Sequence, residues 1–300
     1  MPTLDTRGQT PVKMLLAGIP GAGKTGSLAS LVIAGYDIVL VDLENGSAPL
    51  FNFTPPALHS HIHHVPIMAG YKLATSGRLS VVPRGDMASP PSAFSRLCRF
   101  LTDGKLVDQA GAVLKDLGPP ESWDPARYIL VIDSMTSLGE MIMHKTLALN
   151  SHLSSYPDPG DWGTGQQEQD RLMAQLCSPF ELPCSLIVTS HLGYVRERTE
   201  TQLDARGKLV TTSTLSEKLF PSALGSKLPP KIARHFSTVI LAQDDITGAP
   251  SLHLKSTEEF KVKYPYPVQQ NQSILPIATG MATLFRNLHG EPPKQETART

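Results

Sequence analysis

The chain has 300 residues and carries equal numbers of basic and acidic side chains, 27 of each. This balance excludes a protein that is basic over its whole surface, so any contact with nucleic acid must come from a local patch. Hydrophobic residues make up 40% of the chain, enough for a large core. The first ten residues hold no apolar stretch and no segment reaches the length of a membrane span. Three cysteines without a CxxC pair fit a reducing compartment, and we expect a soluble, cytoplasmic protein.

Apolar segments alternate with amphipathic segments along the chain. The predicted strands, in chain order, are 12–17, 37–42, 128–133 and 185–191. The predicted helices are 24–34, 93–101, about 137–149 and one that opens at 161–163. Strands that alternate with helices are typical of an α/β fold, in which a largely parallel sheet is covered by helices on both faces.

Three regions depart from this alternation. Residues 47–91 are predicted to form an irregular insertion, rich in loops. Toward the C-terminus we expect two antiparallel hairpins, a polar one over 194–214 and another over 237–256. Residues 1–290 are therefore expected to form a single domain, and residues 291–300 a flexible tail.

The segment GIPGAGKT, between the first strand and the first helix, matches the P-loop pattern G-x-x-x-x-G-K-[ST]. Its glycines let the backbone wrap a phosphate so that several N–H groups point at one anion, and the helix N-terminus adds partial positive charge. Lys24 is predicted to reach the β- and γ-phosphates, and the Thr25 hydroxyl to ligate Mg²⁺. The predicted nucleotide-binding residues are Gly18, Pro20, Gly21, Ala22, Gly23, Lys24, Thr25 and Gly26.

Three polar residues follow or end predicted strands, at the sheet edge where ligands of open α/β sheets bind. Asp133 ends an apolar strand, and its carboxylate is predicted to meet the Mg²⁺ shell opposite Thr25. Glu44 follows the second strand, where a carboxylate can orient and deprotonate the water that attacks the γ-phosphate. His191 ends the 185–191 strand and could sense the γ-phosphate. The alternatives are a solvated loop acid for Glu44 and a capping or core side chain for His191.

These segments together resemble the RecA-type ATPase core: the strand–GIPGAGKT–helix unit, VDLENG, YILVIDSMTSL and LIVTSH. The segments GDWG, TSH and GSKLPPKIARHF resemble shortened, phage-encoded RecA-like ATPases associated with single-strand annealing and recombination. The resemblance covers roughly residues 12–243. It implies ATP and Mg²⁺ as cofactors, a ring or short filament of identical subunits, and single-stranded DNA as a partner.

The resemblance also implies roles for individual residues. Glu44 would be the catalytic base, and His191 the switch that full-length recombinases usually fill with glutamine. Lys231 or Arg234 would act as a finger on the γ-phosphate of the neighbouring subunit, although ordinary surface charge is the alternative. A DNA-facing loop is implied for the polar hairpin, whose basic residues are Arg196, Arg198, Arg206 and Lys208. Acidic residues are interleaved there, so a solvated hairpin stays an alternative.

We therefore predict a Mg²⁺-dependent ATPase that acts on single-stranded DNA in phage-type recombination, annealing or repair. Few residues precede the first strand and no DNA-binding accessory domain is recognised, so annealing or an accessory ATPase role is favoured over strand exchange. The alternatives are a nucleotide-gated assembly or scaffold protein without DNA binding, and a P-loop phosphotransferase. A GTPase is disfavoured because the chain contains no N-K-x-D motif.

A histidine-rich segment lies inside the predicted insertion. The spacing of His59, His61 and His63 would align three imidazoles on one face of a strand, and His64 follows directly. Because no cysteine or acidic residue lies nearby in sequence, a metal site is not predicted there.

Overall fold

The computed structural model describes residues 11–68, 71–74, 80–83, 92–108, 110–152, 156–200, 213–268 and 273–290, with the backbone alone at 71–74, 80–83, 195–200 and 213–217. Its strands, in chain order, are β1 (Lys13–Gly18), β2 (Asp37–Asp42), β3 (Ile62–Pro66), β4 (Tyr71–Ala74), β5 (Ser80–Pro83), β6 (Lys105–Val107), β7 (Val113–Asp116), β8 (Tyr128–Asp133), β9 (Ser185–Ser190), β10 (Leu192–Glu200), β11 (Ser213–Pro221), β12 (Thr238–Asp244), β13 (Pro250–His253) and β14 (Ile274–Pro276). Its α-helices are α1 (Lys24–Ser27), α2 (Ala29–Ala34), α3 (Ala48–Phe53), α4 (Ala93–Asp103), α5 (Met135–Leu149), α6 (Pro159–Cys177), α7 (Pro229–Ile232) and α8 (Ile277–His289). Short 3₁₀ turns occupy Pro56–His61, Pro120–Ser122 and Ala233–His235.

An eight-stranded sheet organises the fold, in the order β14-β13-β12-β1-β9-β8-β2-β3. The six strands from β12 to β3 are parallel, and β13 and β14 extend the sheet as antiparallel edge strands. Three two-stranded ribbons stand apart from it: β4-β5, β6-β7 and β10-β11. The sheet order places β9 between the P-loop strand β1 and the strand β8 that ends in Asp133.

Two hydrophobic clusters cover the two faces of the sheet. Along β1, Leu15 and Ala17 belong to one cluster while Met14 and Leu16 belong to the other, and all four side chains are fully buried. This alternation follows from the two-residue period of a strand. Helices α4, α5 and α6 supply the first cluster, and helices α2 and α8 supply the second. Strands buried on both faces explain why the sequence shows continuous apolar runs rather than alternation.

The predicted α/β class, with its mainly parallel sheet and C-terminal hairpins, is confirmed. The predicted strands 37–42 and 128–133 coincide with β2 and β8. The single helix predicted over 24–34 is wrong in detail, because the chain forms α1 and α2 with Leu28 between them. The predicted tail, 291–300, lies outside the described residues.

Side-chain caps explain why two helices begin before their predicted starts. The Ser134 hydroxyl accepts from the N–H of Ser137, so α5 starts at Met135 rather than near residue 137. Asp158 and Asp161 form a reciprocal capping box, so α6 starts at Pro159 rather than at 161. Within the described residues, the structure holds no helix with the length and apolar character needed to cross a bilayer.

Candidate nucleotide-binding site

The sheet order brings the four predicted groups to one edge. The P-loop follows β1, His191 follows β9, Asp133 ends β8, and Glu44 lies two residues beyond β2. These strands are parallel neighbours in the order β1-β9-β8-β2, so their carboxyl ends meet along the same edge. Because β9 lies between β1 and β8, His191 projects between the loop and Asp133. The edge therefore assembles one site from residues almost 170 positions apart.

Three glycines in the P-loop have backbone angles or close contacts that a residue with a side chain would disturb. Gly21 and Gly23 have φ angles of +83° and +78°, in the left-handed region. Gly18 pairs with Ala242 of β12, and a Cβ built on it would lie 2.5 Å from the Ala242 carbonyl oxygen. The loop thus depends on glycine both for its turn and for its close contact with the neighbouring strand.

Lys24 is held inside the loop by the loop's own backbone. Its Nζ donates to the carbonyl oxygens of Gly18 at 2.8 Å and Ile19 at 2.9 Å. Burial lowers the pKa of this ammonium, while the carboxylates of Asp133 and Glu44 partly oppose the change. The ammonium group therefore lies within the turn of the loop, and its contact with the β- and γ-phosphates stays a prediction.

Thr25 and Asp133 provide the oxygen donors that a magnesium site needs. The Thr25 hydroxyl donates to Asp133 Oδ2 at 2.7 Å, and the Thr189 hydroxyl donates to the other carboxylate oxygen. Burial raises the pKa of Asp133, the hydroxyl groups of Thr189 and Thr25 oppose this, and Glu44 adds like-charge repulsion. A divalent cation beside this buried carboxylate would favour its charged form, and hard oxygen donors are what Mg²⁺ prefers. The residues present therefore fit the ion.

Glu44 is fixed by three side-chain donors. Its Oε1 accepts from the hydroxyls of Ser134 and Ser137, the latter at 2.9 Å. Its Oε2 lies 3.3 Å from Nε2 of His191. Burial alone would raise the pKa of Glu44, but the two hydroxyls and His191 outweigh it and lower the pKa. Glu44 is therefore ionised at neutral pH, as a carboxylate that accepts a proton from water must be.

A cavity of ≈ 380 Å³ joins these groups. Its polar lining comes from the loop, Glu44, Asp133 and His191, and its apolar lining comes from Pro49, Phe53, Pro250 and Ile277. Phe53 is 67% exposed, and its ring lies over Gly26, where a built Cβ would come within 2.9 Å of a ring carbon. A lining that combines polar and apolar groups suits a nucleotide, which pairs a phosphate chain with a flat base.

Comparison with known families decides the class of this site. Residues 10–264 match the model of the AAA domain, a range that spans the P-loop, Glu44, Asp133 and His191. The chain belongs to the AAA domain family. It is therefore a nucleotide-binding P-loop domain of the ATPase type. A search of curated proteins found no match.

Several polar residues that support the site of this AAA domain were missed by sequence reasoning. Ser134, Ser137 and Thr189 donate to the two central carboxylates, and Asp42 accepts from the backbone N–H groups of the loop that carries Glu44. Serine and threonine are common at strand and helix ends, so their positions carry no distinct sequence signal. The adjacency of Ser134 to Asp133 was the one available hint.

The predicted finger residues lie away from the phosphate loop of their own AAA domain. Arg234 forms an ion pair with Asp170 at 2.6 Å, and Lys231 is exposed on α7. Both precede β12, whose first residue, Thr238, pairs with Met14 near the start of β1. The loop begins at the other end of β1, roughly 15 Å away at the usual rise per residue. Both residues therefore lie toward the end of β1 that is opposite their own phosphate loop, and the role toward a neighbouring subunit stays a prediction.

The polar hairpin grows directly from the nucleotide site. Strand β10 begins one residue after His191, and it pairs with β11 from Leu192↔Pro221 to Glu200↔Ser213. Arg196 and Arg198 lie on β10, opposite Glu217 and Leu215. Arg206 and Lys208 lie outside the described residues.

The histidine-rich segment is not a row of imidazoles on one strand, so that part of the prediction is wrong. His59 and His61 belong to the 3₁₀ turn before β3, and each of the four side chains has a different partner. These partners are the Phe51 and Thr54 carbonyls for His59, Asp37 for His61, the Tyr128 ring for His63 and Asp42 for His64.

Proposed function

We propose that this AAA domain hydrolyses ATP with Mg²⁺ and couples hydrolysis to single-stranded DNA. In this proposal it is a shortened, phage-type RecA-like ATPase of recombination, annealing or repair, working as a ring or short filament. The observation that carries the catalytic part is the convergence of Lys24, Thr25, Asp133 and Glu44 on one cavity. The DNA part is supported by a hairpin that starts beside His191 and carries arginines on β10.

Each residue contributes a defined step. Lys24 binds the β- and γ-phosphates, and Thr25 and Asp133 hold Mg²⁺, which supplies charge compensation for the phosphate oxygens when it is bound. Glu44 takes the proton of the attacking water on a carboxylate oxygen that faces the cavity. His191 contacts Glu44 directly, so a change at the γ-phosphate can pass through His191 to β10. Lys231 or Arg234 would complete the site of a neighbouring subunit.

One observation favours the second candidate, a nucleotide-gated assembly protein without DNA binding. Arg196 pairs with Glu217 in the backbone register of β10 and β11, so the ladder places a basic residue at the position opposite an acidic one. In that case the hairpin would be a solvated or protein-binding ribbon.

ATP turnover by the full chain, measured with and without single-stranded DNA, tests these readings. Glu44→Gln should reduce kcat by about a hundredfold and leave ATP binding intact, because only the base is lost. Glu140→Gln is the matched control, since Glu140 is an exposed carboxylate on α5. Parent-like turnover by Glu44→Gln would refute the assignment of the base.

The DNA part is tested separately by binding at several salt concentrations. We expect single-stranded DNA to bind more tightly with a non-hydrolysable ATP analogue than with ADP, and less tightly as salt rises. If the protein hydrolyses ATP but shows no salt-dependent DNA binding in any nucleotide state, the assembly protein becomes the better reading.

A further inference from the structure

Asp42 holds the turn that carries Glu44. Its Oδ1 accepts from the backbone N–H of Glu44 at 3.1 Å and from that of Gly46 at 3.0 Å. Asn45, between them, has a φ angle of +59°, in the left-handed region that the tight turn requires. Asp42 is 1% exposed, so these two hydrogen bonds are protected from competition with water. Asp42 therefore helps to hold the Glu44 backbone, beside the N–H of Leu43, which donates to the Asp133 carbonyl oxygen at 2.7 Å.

Two side chains bond to the Asp42 carboxylate: Ser47 and, from the neighbouring strand, His64. Nε2 of His64 lies 3.1 Å from Asp42 Oδ2, and a carboxylate oxygen can only accept, so the hydrogen is on Nε2. His64 lies on β3, which pairs with β2 in parallel register, Leu40 with His64 and Asp42 with Pro66. The histidine thus ties the carboxylate to the sheet, while the turn depends on the opposite carboxylate oxygen.

The same histidine contacts the helix that forms the apolar wall of the cavity. The Phe51 ring of α3 meets the His64 ring edge-on, with centroids 6.0 Å apart, and meets the His59 ring at 5.3 Å. His59 Nε2 lies within 3.1 Å of the carbonyl oxygens of Phe51 and Thr54. Helix α3 carries Phe53 and Pro49, which line the nucleotide cavity. One chain of contacts therefore runs from the apolar wall to the turn that carries Glu44.

We propose that Asp42 and His64 act as a positioning pair. Together they hold the turn that carries Glu44 and fix its position relative to helix α3. The catalytic consequence rests on the proposed ATPase function, whereas the structural consequence does not. Neither residue touches the reacting atoms, so both are positioning residues rather than catalytic ones. Their predicted effect is on the fraction of Glu44 that is correctly placed, hence on kcat rather than on ATP affinity.

The experiment compares His64→Ala, His64→Gln and His63→Ala with the parent protein. Glutamine places an amide N–H close to where His64 carries its Nε2–H, so it should restore the bond to Asp42. His63 is the matched control, because it lies on the same strand but stacks on Tyr128 at 5.9 Å. Two readouts are used: amide hydrogen exchange of the peptide that contains residues 43–47, and steady-state ATP hydrolysis.

We expect His64→Ala to accelerate exchange at the amides of Glu44 and Gly46 by about tenfold, and His64→Gln to restore protection. For hydrolysis we expect kcat to fall by about tenfold in His64→Ala with KM unchanged, and to recover in His64→Gln. His63→Ala should match the parent protein in both measurements.

Unchanged exchange in His64→Ala overturns the positioning pair, whatever the hydrolysis data show. Faster exchange with parent-like kcat overturns its catalytic consequence. If the parent protein does not hydrolyse ATP, the proposed function fails, while hydrogen exchange still decides whether the pair holds the turn. An equal rise of KM and fall of kcat in both histidine-to-alanine variants would indicate general loss of structure and would also count against the pair.

Discussion

A buried lysine at the start of the central strand makes stability depend on pH in a calculable way. Lys13 is 4% exposed, and its Nζ donates to the carbonyl oxygens of Leu182 at 2.7 Å and Cys184 at 2.8 Å. Burial lowers the pKa of Lys13 to about 8, although the nearby thiols of Cys184 and Cys177 oppose the change. In the unfolded chain a lysine titrates at about 10.4.

The sign follows from proton binding. Between pH 8 and about 10.4 the unfolded chain holds a proton on Lys13 that the folded protein has released, so the free energy of unfolding rises with pH. Each pH unit of difference between the two pKa values is worth about 1.4 kcal/mol, which gives a total gain of about 3 kcal/mol across this interval. Below pH 8 the lysine is charged in both states and contributes no slope.

The assay is urea unfolding of the parent protein, Lys13→Met and Lys13→Gln at several pH values from about 7 to about 10.5. The difference in unfolding free energy between the parent protein and each variant should rise by about 3 kcal/mol in favour of the parent. Burial raises the pKa values of Cys177 and Cys184 to about 12 and about 11, so these thiols lower stability at high pH in the parent protein and in both variants. A difference that stays constant over this interval, for both variants, would refute the reasoning.

Two further predictions concern the loop and the assembly. Gly18→Ala should lower the free energy of unfolding by about 2 kcal/mol, because its Cβ would lie 2.5 Å from the Ala242 carbonyl oxygen. Gly163→Ala, whose Cβ would meet no described atom within 4 Å, should not lower it, and equal thermal unfolding midpoints for the two variants would contradict this. Arg234→Ala should impair hydrolysis only in the assembled state, and admixed Glu44→Gln subunits, which keep Arg234, should restore turnover. Assembly without rescue would remove the finger role.

The central strands and the phosphate loop could be predicted because their signals are local. Three or four buried apolar residues in succession identify β2, β8 and β9, and the spacing of the loop is a pattern in itself. Helix α8 was not predicted, since it contains Gly280 and follows a proline. That glycine is required by packing: a Cβ there would lie 2.8 Å from Leu252 of β13. Tertiary contact therefore accounts for the glycine in α8.

The candidate site likewise contains some residues that the sequence predicted and others that it did not. Glu44, Asp133 and His191 were predicted to lie at one edge of the sheet because each lies at or just beyond the end of a predicted parallel strand. The carboxyl ends of parallel strands meet at the same edge. The hydroxyls of Ser134 and Ser137 reach Glu44 across about ninety residues of chain, and the sequence holds no signal for that contact. That contact depends on the parallel register of β2 and β8, in which Asp42 pairs with Asp133.

The hydrogen bonds that Lys24 makes to the Gly18 and Ile19 carbonyls have a consequence for how ATP is received. Because these bonds form within the folded chain, a phosphate that binds Lys24 would replace carbonyl acceptors that the ammonium group already has. The loss of conformational entropy on ordering the loop occurs during folding rather than during binding. More of the free energy of the phosphate contacts then contributes to affinity. Substitution of Lys24 would therefore remove two hydrogen bonds that stabilise the loop as well as a phosphate ligand, so it would lower the stability of the folded protein even without nucleotide.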